Sequence, residues 1–337
     1  MTTDTNTTHR VRLGARGPET SAIGLGCMGM SGMYGSSDDD DADEESVATI
    51  RAAIDAGVTL LDTGDFYGMG HNERLVGRAI AGRRDRVQVS VKFGALRGPD
   101  GSWLGFDGRP AAVKAFAAYS LERLGVDVID IYRPARLDPN VPIEDTIGAI
   151  ADLVKAGYVR HIGLSEVGVE TVRRAAAVHP IVDLQIEYSL ASRGPEAAIF
   201  PALRELGISA TLYGVLSRGL LTGSKPTGPR DFRAYLPRFT AEHRGRNDAV
   251  VDQLRAFAAD RDLTPGQLAI AWARARQPWA VPVVGARTRV QLADAVAAQG
   301  VVLGADDVAA LERIVPSDAI AGARYGEEQL RHLDSER

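Results

Sequence analysis

Short apolar runs alternate with longer, more polar segments along most of this chain. The apolar runs lack the polar alternation of a half-exposed strand, which predicts strands that are covered on both faces, as in a parallel sheet. Eight such runs occur, at residues 22–27, 58–62, 86–92, 127–132, 158–164, 182–187, 208–213 and 280–284.

A segment of helical character follows each strand. The first predicted helix ends near Ala56, and the others span residues 73–81, 110–124, 143–156, 168–178, 195–206, 246–260 and 288–299. A further helix is predicted from Leu263 to Arg276, because Thr264 can cap it and Pro265 suits its first turn. Eight strand–helix units without a linker predict one (β/α)8 TIM barrel rather than an open sheet.

Several stretches lie outside this repeat. We predict a disordered N-terminal tail over residues 1–10, one barrel domain over residues 11–325 that opens with a β-hairpin, and a C-terminal tail over residues 326–337. The segment 216–245 follows the seventh strand and is too long for a plain connection, which predicts a functional or mobile loop. The acidic run at 38–43 is interpreted as the solvated start of a helix, with a metal site as the less favoured alternative.

Composition and charge narrow the class of protein. The net charge of −5 argues against nucleic acid as the main partner. Cys27 is the only cysteine, which excludes an internal disulfide and fits a reducing compartment. The first ten residues lack the apolar core of a signal peptide, and no apolar run is long enough to span a membrane. We therefore expect a cytoplasmic protein with neither a membrane nor a nucleic acid as partner.

Polar side chains mark the ends of several predicted strands. Asp62, Lys92, Ser165, Gln185 and Tyr213 all fall at or just past a strand end. The active sites of (β/α)8 barrels lie at that edge of the sheet. A buried carboxylate is costly unless a cation meets it, and Lys92 on the next strand is the candidate partner of Asp62.

Five separated motifs give the chain a specific resemblance to a known family. The motifs are Leu25–Met30, Leu61–Gly68, Val89–Lys92, Ile162–Glu166 and Leu216–Gly223. Their order and spacing are similar to those of the aldo-keto reductases, over about residues 11 to 325 of the chain. The first loop most resembles a bacterial branch in which it reads Gly-Cys-Met-Gly-Met-Ser.

The resemblance implies hydride transfer between a nicotinamide cofactor and an aldehyde, a ketone or the corresponding alcohol. Tyr67 would be the general acid and base. A free phenol has a pKa of roughly 10, and the ammonium of Lys92 is expected to lower it by stabilising the phenolate. Asp62 would keep Lys92 charged and oriented.

The resemblance also places the cofactor across the mouth of the barrel. Ser165 and Gln185 would bind the nicotinamide carboxamide, and Tyr213 would stack on the ring. Arg287 would bind a 2′-phosphate, which favours NADP (NADPH) over NAD. The full predicted cofactor site comprises Gly26, Cys27, Met28, Asp62, Ser165, Glu166, Gln185, Tyr213, Gly214, Leu216, Arg218, Gly219, Gly285, Arg287 and Gln291.

The substrate would be a small carbonyl compound or alcohol, with a flat or aromatic carbonyl such as pyridoxal as one candidate. The loops expected to wall its pocket contribute Met33, Tyr34, Phe66, Phe93 and Trp103.

One position departs from the family pattern. The fourth strand usually ends with a histidine that polarises the substrate carbonyl, and Ala135 occupies that position here. Arg133 lies two residues earlier, roughly 7 Å along a strand. We therefore predict Arg133 as a catalytic residue that reaches above Ala135 toward the substrate oxygen or an anionic substrate group. The alternatives are a barrel carboxylate, such as Asp62 or Glu187, as its partner, or an outward direction caused by a bulge at Pro134.

Two other functions remain open from the sequence. A Schiff-base lyase could use Lys92 as its nucleophile, since (β/α)8 barrels also host such enzymes. An NADP-binding regulatory or sensor protein with little turnover would be consistent with the alanine at position 135.

Overall fold

The computed structural model describes residues 10–34 and 40–337. Two antiparallel hairpins accompany the barrel: β1 (Arg10–Arg12) pairs with β2 (Glu19–Ser21), and β6 (Ala95–Arg97) pairs with β7 (Trp103–Phe106). The first hairpin was predicted from the sequence. The second was not, because its strands are short and lie within what the sequence presents as one polar loop.

Eight parallel strands close into a barrel, which confirms the predicted (β/α)8 fold. They are β3 (Gly24–Gly26), β4 (Leu60–Gly64), β5 (Gln88–Phe93), β8 (Ile129–Pro134), β9 (Val159–Ser165), β10 (Ile181–Glu187), β11 (Ser209–Tyr213) and β12 (Val281–Gly285). The strands follow one another around the barrel in chain order, and β12 pairs with β3 to close it.

Helices surround the barrel strands. They are α1 (Asp40–Asp55), α2 (His71–Ile80), α3 (Pro110–Leu124), α4 (Ile143–Ala156), α5 (Val169–Val178), α6 (Ile199–Glu205), α7 (Ala241–Ala259), α8 (Pro265–Arg276), α9 (Arg289–Ala297), α10 (Ala305–Ile314) and α11 (Glu327–Leu330). The predicted cap of α8 is present, since the Thr264 hydroxyl accepts from the Gln267 amide at 3.1 Å. The sequence analysis did not predict α10 or α11. None of the helices in the described residues is long and apolar enough to cross a membrane.

The interior of the barrel changes character from one end to the other. At the start of the strands it is apolar: Leu60, Ile131, Val281 and Val283 form a cluster with Val11 and Leu13 of the N-terminal segment. Nearer the end of the strands the inward side chains are polar or charged. The N-terminal segment therefore closes one end of the barrel, and the polar side chains collect at the other end, which we call the mouth.

Two of the predicted segments lie outside the strand–helix repeat: the loop after β11 and the acidic run. The loop after β11 contains three short 3-10 helices, Ser217–Thr222, Phe232–Tyr235 and Pro237–Phe239. The acidic run enters α1 at Asp40, as expected for a helix start. The described residues contain no cluster of His, Cys, Asp and Glu able to hold a metal ion. Residues 1–9 of the predicted disordered tail and residues 38–39 of the acidic run lie outside the described residues.

Candidate active site

The mouth of the barrel holds the predicted ion pair between Asp62 and Lys92. Side chains alternate along β4 and β5, so these two point inward while their apolar neighbours pack under the helices. Lys92 Nζ donates to Asp62 Oδ2 and, at 3.0 Å, to Gln185 Oε1. Asp62 Oδ1 accepts from Ser90 Oγ and Gln185 Nε2, both at 2.9 Å. Asp62 and Lys92 are each 4% exposed, so the pair is shielded from water.

Tyr67 lies next to this ion pair on the loop that follows β4. The centroid of its ring is 5.2 Å from Lys92 Nζ. Fully buried Asn72 anchors the loop: its Nδ2 donates to the Cys27 carbonyl at 2.8 Å, and its Oδ1 accepts from Thr63 Oγ1 at 2.7 Å. One side chain thus ties the Tyr67 loop to two neighbouring strand ends.

The protonation of Tyr67 differs from the sequence-based expectation. Burial raises the pKa of the phenol well above its ordinary value, the negative charge of Asp62 raises it further, and the charge of Arg136 acts in the opposite direction. The expectation that Lys92 brings this pKa below its ordinary value is therefore wrong. The loss of hydration on burial and the negative charge of Asp62 together outweigh the charges that stabilise the phenolate.

Arg133 points into the barrel but not toward the mouth. Its Nη1 donates to Asp183 Oδ2 at 2.9 Å, and both side chains are fully buried. The prediction that the guanidinium reaches above Ala135 is wrong. The alternative, a barrel carboxylate as its partner, is confirmed, although the carboxylate is Asp183 and not Asp62 or Glu187. A buried charge needs a counter-charge beside it, and Asp183 is that counter-charge. The sequence analysis missed Asp183 because it lies in an otherwise mostly apolar strand.

Arg136 is a mouth residue that the sequence analysis did not single out. The Ala135 amide donates to the Phe93 carbonyl at 2.8 Å, so Ala135 continues β8 and Arg136 leaves the strand at the mouth. Within the described chain its guanidinium has one hydrogen bond, to the Ala135 carbonyl at 2.6 Å. Its charge acts on both Tyr67 and Lys92. The sequence could have identified Arg136 as a mouth residue, because it directly follows Ala135, the last inward-facing residue of its strand.

Strained backbone is concentrated around the mouth. Among the described residues, five that are not glycine have positive φ, and four of these lie in loops at strand ends: Met69 at 52°, Glu166 at 54°, Ser217 at 48° and Arg218 at 56°. Each such conformation costs about 1–3 kcal/mol, and they collect at active sites and ligand clamps. The loops after β4, β9 and β11 are therefore the best candidates for binding a ligand.

The C-terminal segment packs across part of the mouth. Arg324 donates from both Nη atoms to the Glu166 carboxylate, at 2.9 and 2.7 Å. Burial opposes the ionisation of Glu166, but Arg324 outweighs it and lowers the pKa to about 2. The hydroxyls of Tyr325 and Tyr213 are 3.0 Å apart, and the Arg218 guanidinium is 4.3 Å from the Tyr325 ring centroid. Three residues predicted for the cofactor site are thus in contact with the C-terminal segment.

A second cluster surrounds Arg287. Its guanidinium is 5.5 Å from the ring centroid of Tyr34, and its amide donates to Gln291 Oε1 at 2.9 Å. A Cβ added to Gly29 would lie 3.2 Å from Arg287 Cγ, a tight contact, so glycine in the first loop favours this approach. Tyr34, predicted as a wall of the substrate pocket, therefore belongs with Arg287.

Some predicted site side chains lie elsewhere. Phe93 follows Lys92 in β5, so alternation turns it outward, where it stacks on Tyr132 with centroids 4.3 Å apart. Its prediction as a pocket wall is wrong. Cys27 is fully buried directly after β3 and beside Asp62, whose carbonyl accepts from the Cys27 amide at 2.9 Å. Trp103 is 41% exposed on β7. The remaining predicted residues lie at barrel strand ends or in the segments that follow them: Gly26, Met28, Met33, Phe66, Ser165, Gly214, Leu216, Gly219, Gly285 and Gln291.

Comparison with known proteins agrees with this arrangement. Residues 22–316 match the model of the Aldo/keto reductase family. Probable aldo-keto reductase 1 of Glycine max is 38% identical over 323 residues, which cover 94% of this chain and 91% of the relative.

Solved structures show the same similarity over nearly the whole chain. The glycerol dehydrogenase of Gluconobacter oxydans is 26% identical with a TM-score of 0.82, covering 97% of both chains. An aldo/keto reductase of Klebsiella pneumoniae in complex with NADP and acetate is 26% identical with a TM-score of 0.71, covering 94% of this chain and 99% of its own. The barrel, the mouth residues and these matches agree, and the chain belongs to the aldo/keto reductase family.

Proposed function

We propose that this chain is an NADP-dependent oxidoreductase that interconverts an aldehyde or ketone with the corresponding alcohol. The observation that carries the proposal is the Lys92–Asp62 ion pair, with Lys92 Nζ 5.2 Å from the Tyr67 ring at the barrel mouth. A phenol beside a held ammonium can move a proton to or from a small-molecule oxygen. We also propose a cytoplasmic location, since Cys27 is a free, buried thiol.

The chain's own residues would handle the proton. In reduction, Tyr67 donates its phenolic proton to the substrate oxygen, and Lys92 stabilises the phenolate that remains. The raised pKa of Tyr67 keeps the phenol protonated at neutral pH, which is the state that a general acid requires. In alcohol oxidation the phenolate accepts the proton. A nicotinamide held at the mouth would supply or accept the hydride.

The residues present fit a phosphorylated nicotinamide cofactor. A Cβ added to Gly285 would meet only the Gly26 carbonyl, at 3.9 Å, so this strand end leaves room for a ligand backbone. Arg287 would hold the 2′-phosphate, as a guanidinium can with paired hydrogen bonds. Ser165 and Tyr213 end neighbouring strands where the nicotinamide would lie. The NADP complex of the related Klebsiella pneumoniae enzyme supports this choice of cofactor.

Gln185 has a different proposed role from the one expected. Its amide oxygen accepts from Lys92, and its amide nitrogen donates to Asp62. We propose that it holds the ion pair as well as bordering the cofactor. The same bonds weaken the lyase alternative, because a Schiff base requires a free amine and Lys92 is buried between two acceptors.

The test is a panel of aldehydes, ketones and alcohols followed by nicotinamide absorbance, with NADPH and NADH in parallel. Turnover with NADPH supports the proposal. Tight NADPH binding with no turnover on any compound would favour the regulatory alternative instead.

Removing the Arg287 guanidinium should change cofactor preference. We expect Arg287→Ala to weaken NADPH binding roughly 10- to 100-fold, as for the loss of a charge-assisted hydrogen bond, and to leave NADH binding nearly unchanged. Fluorescence titration with both cofactors measures the effect. Arg289 is the matched control, because its guanidinium is already paired with Glu45. Equal losses for NADPH and NADH would show that Arg287 does not read the 2′-phosphate.

Arg136 is the proposed replacement for the missing histidine donor. We expect Arg136→Met to lower kcat/KM roughly 10- to 100-fold on every substrate that turns over, by removing a charged hydrogen-bond donor beside Tyr67. Adding Ala135→His to this variant should restore part of the loss. Steady-state kinetics on the best substrate decide the matter, and an unchanged kcat/KM in Arg136→Met would exclude the role.

A further inference from the structure

A second buried ion pair lies inside the barrel, close to the first. The Arg133 guanidinium and the Asp183 carboxylate are fully inaccessible to solvent and 2.9 Å apart. Neither is fully satisfied: Arg133 Nε and Asp183 Oδ1 have no hydrogen-bond partner in the structure. Replacing such a pair by apolar side chains is often neutral or stabilising, so fold stability alone is a weak reason for it.

The backbone around this pair is shaped to admit it. A Cβ added to Gly163 would lie 2.7 Å from Asp183 Oδ1 and 3.0 Å from Arg133 Cζ. The first distance is shorter than real Cβ contacts in folded proteins, and the second is tighter than most of them. Glycine in the middle of β9 therefore makes the space that the two charged side chains fill.

The guanidinium also determines the direction of two hydroxyl groups. Arg133 donates to Ser90 Oγ at 3.0 Å and to Thr211 Oγ1 at 3.3 Å. A guanidinium has no acceptor, so both hydroxyl oxygens must accept from it. Each hydroxyl hydrogen then points elsewhere: Ser90 donates to Asp62 at 2.9 Å, and Thr211 donates to Asp183 at 2.6 Å.

Ser90 joins the two ion pairs. Its hydrogen bond reaches the same Asp62 oxygen that accepts from Gln185, while the other Asp62 oxygen faces Lys92. A second, weaker connection runs from Gln185 to Thr211 at 3.5 Å. The orientation of the Asp62 carboxylate therefore depends on the Ser90 hydroxyl, and Arg133 determines the direction in which that hydroxyl donates.

We propose that Arg133 and Asp183 are positioning residues: through the Ser90 hydroxyl, their ion pair holds Asp62 and Lys92 in the geometry that Tyr67 requires for proton transfer. The proposal rests on the proposed reductase function. Neither residue touches the reacting atoms, and the effect passes through one hydroxyl. The charge-balanced double variant Arg133→Met/Asp183→Leu removes the pair without leaving a lone buried charge.

A kinetic cycle tests the path through Ser90. We expect Ser90→Ala and Arg133→Met/Asp183→Leu each to lower kcat roughly 10- to 100-fold, as small misplacements of catalytic groups do, with little change in the KM for NADPH. The triple variant should lose no more than the larger of the two effects, because both remove the same connection. Asp130→Asn is the matched control, since Asp130 is a buried carboxylate on the same strand with its partners, Arg84 and Arg160, at the other end of the barrel.

A second readout is independent of turnover. The chain has four lysines, Lys92, Lys114, Lys155 and Lys225, and only Lys92 is buried. In protein labelled with ¹⁵N-lysine, its ammonium should give the single slowly exchanging signal. We expect this signal in the parent and in Asp130→Asn, and expect it to be shifted and broadened in Ser90→Ala and in the double variant.

The outcomes separate this proposal from the proposed function. A parent protein inactive on the whole panel would overturn the reductase function, and the Lys92 signal would still test the positioning. Full kcat together with an unchanged Lys92 signal in the folded double variant would overturn the positioning role, as would strictly additive losses in the kinetic cycle. If the double variant does not fold, Gly163→Ala is the alternative, because its Cβ would contact the intact ion pair. This variant should lower kcat and alter the Lys92 signal. An unchanged kcat together with an unchanged signal would overturn the proposal.

Discussion

Tyr67→Phe is expected to lower kcat roughly 10²- to 10⁴-fold, the usual contribution of a general acid. Phenylalanine keeps the ring next to Lys92 and Phe66 but has no proton to give. NADPH affinity should change little, because the phenolic oxygen is not needed to hold the cofactor. Single-turnover kinetics combined with a fluorescence titration separate the two effects. A variant that keeps most of its kcat would remove Tyr67 from the mechanism.

The same residue determines the expected dependence on pH. Because burial raises the pKa of Tyr67 well above its ordinary value, the phenol remains protonated through neutrality. The rate of reduction should therefore be flat between about pH 6 and 8. Alcohol oxidation requires the phenolate, so its rate should rise with pH over the same interval. A reduction rate that falls steeply within this interval would indicate a phenol of lowered pKa.

Lys92→Met should abolish turnover and destabilise the fold at the same time. The variant leaves Asp62 buried without its counter-ion, which typically costs about 3–5 kcal/mol of the free energy of unfolding. Turnover is lost because the phenolate of Tyr67 has no neighbouring ammonium. Urea unfolding and the panel assay measure the two losses separately.

A double variant distinguishes the two causes. Asp62→Leu/Lys92→Met removes both charges, so most of the stability should return, because well-packed apolar side chains can replace a buried ion pair. Turnover should not return. Restored activity in the double variant would show that neither side chain takes part in the reaction.

Several features of the site could be predicted because they follow from strand periodicity. Asp62 and Lys92 each end an apolar run on consecutive strands, and parallel strands present their ends at one edge of a barrel. Inward alternation then brings the two side chains together with little freedom. The same alternation places Phe93 outside the barrel, and an expectation that treated it as a loop residue was wrong for that reason.

Other features depend on contacts between distant parts of the chain. Asp183 meets Arg133 across the barrel interior, and no local pattern marks a lone aspartate in an apolar strand as a partner. Arg324 reaches Glu166 from 158 residues away. The pKa of Tyr67 depends on how completely the surrounding loops bury it, which composition does not reveal.

The sequence by itself determined the barrel and the edge that carries the site, because strand periodicity constrains the side chains at each strand end. The choice of Asp62, Tyr67 and Lys92 as the reacting group rests on the resemblance of their motifs to those of the aldo-keto reductases. The tertiary structure decided which charges are paired, which hydroxyls they direct and which phenol remains protonated. Those properties depend on distance and burial across the closed barrel, where electrostatic interactions are strong and water is excluded.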